Sequence, residues 1–218
     1  MTNTIKSYTH VALVLDASGS MSDLRDSTVS TLKEFFASLK SPEDKTVVDL
    51  WQFDDRVRHL IDGVDLENGA GEAIENYTTS GCTALYDAIC IGIDDLGRKF
   101  AAMNEADRPD AVVFAVLTDG FENASQKFTV RDVKSRIEHQ TTKYSWTFKF
   151  LAANQDAVLT GKEMGLAADS CANFVASDDG LASGGAMLAK MCCCDVRSVA
   201  RRRRSAKMGK IDGAVVLA

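Results

Sequence analysis

A chain of 218 residues, 45% hydrophobic and 26% charged, suits one well-packed domain with a tail, and two prolines with no Gly/Ser linker give no ground for a second domain. The net charge of −6 is unevenly spread: seven basic and two acidic residues from Asp195 onward put +5 on the tail and leave −11 on the body. An acidic body argues against a nucleic-acid-binding core, no apolar run approaches the roughly 18 residues of a membrane helix, and the first ten residues lack the charged-then-apolar pattern of a leader.

In chain order, "YTHVALVL" (Tyr8–Leu15) is a nearly continuous apolar run, the pattern of a central parallel strand buried on both faces. Leu24, Thr28, Leu32, Phe35 and Leu39 follow at helical spacing, and Pro42 forbids continuation. "TVVDLWQFDD" and "RVRHLIDG" read as a hairpin around Asp54–Asp55, and "VDLENGAGEAIENYTTSG" as mixed chain with a short helix. Leu85, Ile89, Ile93, Leu96, Phe100 and Met103 mark the clearest helical stripe, with Thr83 where an N-cap belongs and Pro109 as the break. "AVVFAVL" (Ala111–Leu117) is a second fully apolar strand, ending near Asp119. Thr129 and Asp132 read as a capping box before the next helix. "YSWTFKFLA" alternates, so Tyr144, Trp146, Phe148 and Phe150 share one strand face. A helix from about Asp156 to Gly165, a short strand "CANFVA" and a helix opened by Ser177 complete the pattern.

This order predicts an α/β fold: a doubly wound, mostly parallel six-stranded sheet with one antiparallel edge strand and helices on both faces. The domain is expected over 1–194, and the basic segment 195–218 is expected to be disordered. The six cysteines, Cys82, Cys90, Cys171 and Cys192–Cys194, make a poor disulfide framework and point to reduced thiols in the cytoplasm. Three adjacent thiols on one helix cannot all reach one ion.

In such sheets ligands bind at the carboxyl ends of the strands, where the winding reverses. Three loops point there, offering Asp16, Ser18 and Ser20 in "DASGS", Thr83 in "SGCTALYDA" and Asp119 in "LTDG". The set is all oxygen, two carboxylates and three hydroxyls, the chemistry of a hard cation such as Mg²⁺. D-x-S-x-S after a central strand, then this threonine, then this aspartate resemble the metal-ion-dependent adhesion site of von Willebrand factor A domains. "FAVLTDGFEN" and "FLAANQDA" are similar to bacterial and phage members, and the likeness covers roughly residues 8 to 190. It implies direct ligation of the ion by Ser18 and Ser20, direct or water-mediated ligation by Thr83, and water-bridged contacts from Asp16 and Asp119. Cys82 departs from the family, which often has a second glycine there.

By resemblance the function is a metal-dependent protein–protein interaction module, not an enzyme. A divalent cation (Mg²⁺, with Mn²⁺ or Ca²⁺ as alternatives) binds a Glu or Asp of a partner. Stand-alone members accompany AAA+ ATPases or kinase and phosphatase systems. Two alternatives follow from the residues. A Mg²⁺-dependent phosphatase of the haloacid-dehalogenase type needs an aspartate two positions after Asp16, where Ser18 stands. A serine hydrolase is excluded, since neither Ser18 nor Ser20 has the flanking glycines of G-x-S-x-G and no histidine lies in a candidate site loop. Nucleic-acid binding through Arg201–Arg204 is the other alternative, with the acidic body against it.

Overall fold

The computed structural model describes residues 7–41 and 43–215; the first six residues read for a leader, Pro42 and the last three residues lie outside them. The strands are β1 (Tyr8–Asp16), β2 (Lys45–Phe53), β3 (Val57–Asp65), β4 (Ala111–Thr118), β5 (Thr147–Ala152) and β6 (Cys171–Asn173). The helices are α1 (Arg25–Leu39), the short α2 (Gly71–Ile74), α3 (Leu85–Ala101), α4 (Val130–Tyr144), α5 (Ala157–Glu163) and α6 (Asp178–Val215). One sheet results, in the order β3-β2-β1-β4-β5-β6, parallel throughout save for the β2–β3 hairpin at one edge. The two apolar runs, β1 and β4, are neighbours at its centre.

Alternation along the strands divides the core in two. Val11, Leu13 and Leu15 of β1 with Val113, Ala115 and Leu117 of β4 face α1 and α6, meeting Leu32, Phe35, Leu181 and Leu188. Ala12, Val14, Phe114 and Val116 face the other way, against Leu85, Ile89 and Ile93 of α3 and Val133 and Ile137 of α4. Helices α1 and α6 approach so closely that a Cβ on Gly185 would lie 2.0 Å from the Thr31 methyl, so no larger residue fits there.

Three expectations change. Tyr144 ends α4 instead of starting β5, because Ser145 takes the left-handed conformation (φ 55°) and closes the helix. Thr83 is not the N-cap of α3: that position is Ala84, with no side-chain cap. The backbone of α6 continues as helix through the basic segment to Val215, where disorder is expected from composition; Arg, Ala, Lys and Met there are good helix formers. The side chains of Arg201–Arg204 lie outside the described residues.

Candidate metal centre

The sheet winds outward in both directions from the β1–β4 pair, so the crevice between their carboxyl ends is the switch point of the fold. Asp16 is the last residue of β1 and Asp119 directly follows β4. Both lie in the crevice, buried, with Ser18 and Thr83 also buried and Ser20 exposed at the rim.

Hydrogen bonds link four of the predicted residues directly. Asp16 Oδ1 accepts the Ser18 N–H at 2.8 Å, and its Oδ2 accepts the Thr118 hydroxyl at 2.5 Å. The Ser18 and Ser20 hydroxyls lie 3.1 Å apart, and Ser20 Oγ donates to Asp119 Oδ1 at 2.6 Å. Thr83 Oγ1 faces the same space from the loop before α3: a Cβ on Gly120 would lie 3.2 Å from it and 3.9 Å from Ser20 Oγ. Thus Asp16, Ser18, Ser20, Thr83 and Asp119 come together, from segments up to 103 positions apart in the sequence.

The rest of the site holds these five in place, and sequence reasoning missed it. Each backbone N–H from Cys82 to Ala84 is bonded to another loop. Cys82 donates to Asp55 Oδ1 at 3.0 Å, Thr83 to Asn123 Oδ1 at 2.8 Å and Ala84 to the Asp54 carbonyl at 3.0 Å. The Ser80 N–H reaches the Ala17 carbonyl, and the Gly19 N–H reaches Gly81. At the start of α3, Glu122 accepts the Tyr86 N–H and Ser125 Oγ accepts that of Asp87. These partners do the work of a cap, so the Thr83 hydroxyl is left without a hydrogen bond among the described residues and faces the crevice. Tyr77 Oη fixes the Asp16 carbonyl at 2.6 Å. Thr118 was legible in "LTDG", where only the aspartate was read as functional.

The electrostatics favour a cation. Burial raises the Asp16 carboxyl above its ordinary range and the Asp119 charge adds to this, with Thr118 and Ser18 hydrogen bonds opposing. Burial raises Asp119 as well, against its hydrogen bond from Ser20. Among the described residues no lysine, arginine or histidine pairs with either carboxylate. Two buried acids without a counter-charge, three hydroxyls and a cradle that a single Cβ at 120 would fill make a donor set that fits a small hard cation. Gly120→Ala is therefore expected to weaken any divalent-cation uptake roughly tenfold or more in calorimetry, with little change in the metal-free melting temperature.

A second acidic cluster lies under the β2–β3 edge. Asp49, His59 and Asp62 offer ligand atoms within 4.8 Å of one another, beside a cleft of about 460 Å³. The Lys99 ammonium occupies it, 3.1 Å from Asp49 Oδ2 and 2.7 Å from Asp62 Oδ1. His59 Nε2 bonds Asp49 Oδ1 at 2.7 Å, and His10 Nε2 bonds Oδ2 at 2.5 Å. Burial lowers the His10 pKa, so the neutral ring donates from Nε2 and accepts from Tyr8 Oη at Nδ1, 3.0 Å away. This network supplies its own cation. An aspartate inside the apolar strand "TVVDLWQF" was its signal, since a buried carboxylate requires partners.

The model of the von Willebrand factor type A domain family matches residues 10–182. No curated protein matches the chain significantly in sequence. Among solved structures, proximal thread matrix protein 1 from the mussel byssus superposes with a TM-score of 0.63 at 16% identity, covering 86% of this chain and 46% of that one, in a form whose MIDAS motif is occupied by zinc. A von Willebrand factor type A protein from Catenulispora acidiphila gives 0.56 at 19% identity, covering 84% and 42%. The vWF domain of the type V pili tip protein Mfa5 from Porphyromonas gingivalis gives 0.61 at 12%, covering 88% and 97%. The chain spans about half the length of the mussel protein. With its matched region running through both halves of the sheet and every loop of the crevice, the chain belongs to the von Willebrand factor type A domain family.

Proposed function

We propose that this protein is a binding module that recognises a partner protein through a shared divalent cation. Ser18, Ser20 and Thr83 hold the ion through their hydroxyls, with Asp16 and Asp119 behind them. The observation that carries this reading is the pair of buried carboxylates with no basic partner among the described residues, set against three hydroxyls in one crevice. The all-oxygen set favours Mg²⁺, and Mn²⁺ or Ca²⁺ share that preference; zinc is known in the mussel protein's site. When bound, the ion supplies a positive charge with a position open to an outside acid. The chain's own part is orientation: Asp16 is clamped by Ser18 and Thr118, and Ser20 by Asp119. Two carboxylates acting from behind under-compensate the ion and leave it attractive to a Glu or Asp of the partner. An AAA+ ATPase or a kinase or phosphatase system is the partner class the family associations suggest.

An interaction role is preferred over an enzyme because, among the described residues, the crevice offers no general base beyond its two acids. His10 and His59 are bonded to Asp49, and His139 lies on α4 against Tyr144. The six cysteines are free thiols, which suits a reducing compartment such as the cytoplasm; among the described residues no helix is long and apolar enough to cross a membrane. The test is calorimetric titration of the full chain with MgCl₂ and MnCl₂, followed by capture of its partner with and without EDTA. Uptake lost in Ser18→Ala and capture lost with chelator are expected. No uptake, or the same uptake and capture in Ser18→Ala and Thr83→Ala, would overturn the reading.

A further inference from the structure

Thr83 stands apart from the other predicted ligands. Asp16 accepts the Ser18 backbone N–H, the side chains of Ser18, Ser20 and Asp119 are hydrogen-bonded in series, and Thr83 is tied to none of the four. Its hydroxyl can sit at a fixed place only if its backbone does. Two short loops meet at this residue, and the meeting is reciprocal. The Thr83 N–H donates to Asn123 Oδ1 at 2.8 Å, and the Asn123 N–H donates to the Thr83 carbonyl at 3.1 Å. Both peptide groups of Thr83 are thereby locked to the loop that follows β4, the same loop that carries Asp119.

From this geometry we propose that Asn123 is the positioning residue for Thr83, coupling the third hydroxyl to the β4 loop so that both loops present their oxygens to the ion together. The proposal rests on the metal reading above. The chemistry requires an acceptor on a short side chain. Asn123 supplies it as a carboxamide oxygen, with its own peptide N–H free to return the bond. Its neighbours strengthen the clamp: Glu122 accepts the N–H groups of Tyr86, Ala124 and Ser125, and Asp87 accepts those of Gln126, Lys127 and Phe128. The loop 122–128 is thus fastened to the first turn of α3 on both sides of Asn123, and the only bonds it makes to the Thr83 peptide groups among the described residues run through this residue. An aromatic or aliphatic side chain at 123 would leave the Thr83 N–H without its acceptor. Outer partners of this kind typically change metal affinity 10–100-fold.

The experiment is a double-mutant cycle on the full chain, read by Mn²⁺ titration in calorimetry. Thr83→Ala and Asn123→Ala are each expected to weaken uptake about tenfold, the double variant no more than Thr83→Ala alone, and Asn123→Asp, which keeps the acceptor, to stay within about threefold of wild type. Additive losses in the double variant would show that Asn123 acts through general structure and would overturn the proposal. Wild-type uptake that falls in Thr83→Ala but not in Asn123→Ala would also overturn it, leaving the metal reading intact. Absence of uptake by the wild-type chain sinks the metal reading itself. Hydrogen exchange of the metal-free wild type is independent of any variant's folding: the Thr83 amide is expected to be protected, and exchange at the rate of an open loop overturns the clamp.

Discussion

Asp16→Asn is expected to raise the melting temperature of the metal-free protein while abolishing its uptake of magnesium. Asp16 is wholly buried beside Asp119, with no basic side chain paired to it among the described residues, so its ionised form is costly in the absence of a cation. The amide is nearly isosteric. The Thr118 hydroxyl, which donates to Asp16 Oδ2 at 2.5 Å, also lies 3.1 Å from the Gly120 carbonyl, so it can turn to donate there and accept from the new amide. A rise of a few degrees follows, each kcal/mol being worth roughly 2–4 °C in a domain of this size. The linkage has a definite sign. A carboxyl raised in the folded state binds more protons there than in the unfolded chain. Wild-type stability is therefore full below the ordinary value of 3.8 and falls as pH rises through the elevated folded value. The advantage of the amide should vanish in acid and be complete at neutral pH. Magnesium should invert the order, since ligand at 100 times its dissociation constant adds about 2.7 kcal/mol to the wild type alone. Thermal melts of both proteins at two pH values, with and without MgCl₂, read all of this. A variant less stable than wild type without metal, or one that still takes up magnesium, would contradict it.

Asp49→Ala should do the opposite, costing about 3–5 kcal/mol in denaturant unfolding. The change strips His10, His59 and Lys99 of their common acceptor in one step, with His10 fully enclosed. Burial alone would raise the Asp49 carboxyl, but hydrogen bonds from His10 and His59 and the nearby Lys99 charge outweigh it and hold the group well below the usual carboxylate range. The linkage runs the other way from Asp16. The contribution of Asp49 is whole above its unfolded value and is lost only as pH falls through the depressed folded value. Wild type should keep its margin over Asp49→Ala down to mildly acid pH and lose it only in strong acid. Chemical unfolding of both proteins at neutral pH and near pH 3 checks the magnitude and the direction.

The sheet was legible because its signal is local. Val11 to Leu15 and Val112 to Leu117 are unbroken apolar runs, and a strand buried on both faces needs nothing else to announce it. The five candidate ligands were legible because each lies at the end of such a run or at the start of a helix. What supports them was not. Thr83 reads as a cap from its neighbours, and only Glu122 and Ser125, far along the chain, relieve it of that duty. Tyr77 on the Asp16 carbonyl and Asp55 on the Cys82 amide are likewise products of chain crossing. The Asp49 network escaped because an isolated aspartate in a strand names no partners; two of them, His10 and Lys99, come from other elements of the sheet and helix layer. Tyr144 was misplaced because alternation continues smoothly across a helix end that a single left-handed residue sets.

Helix α6 has a practical consequence for anyone excising this module. The stretch that matches the family ends at 182, yet Leu188, Ala189 and Cys192 beyond it are buried against the α1 side of the sheet, and Lys149 of β5 reaches Asp195 at 3.0 Å. A fragment cut at the family boundary would bare the hydrophobic floor of β4 and β5, with Val113 and Leu151, and invite aggregation, so an expression boundary belongs after Asp195.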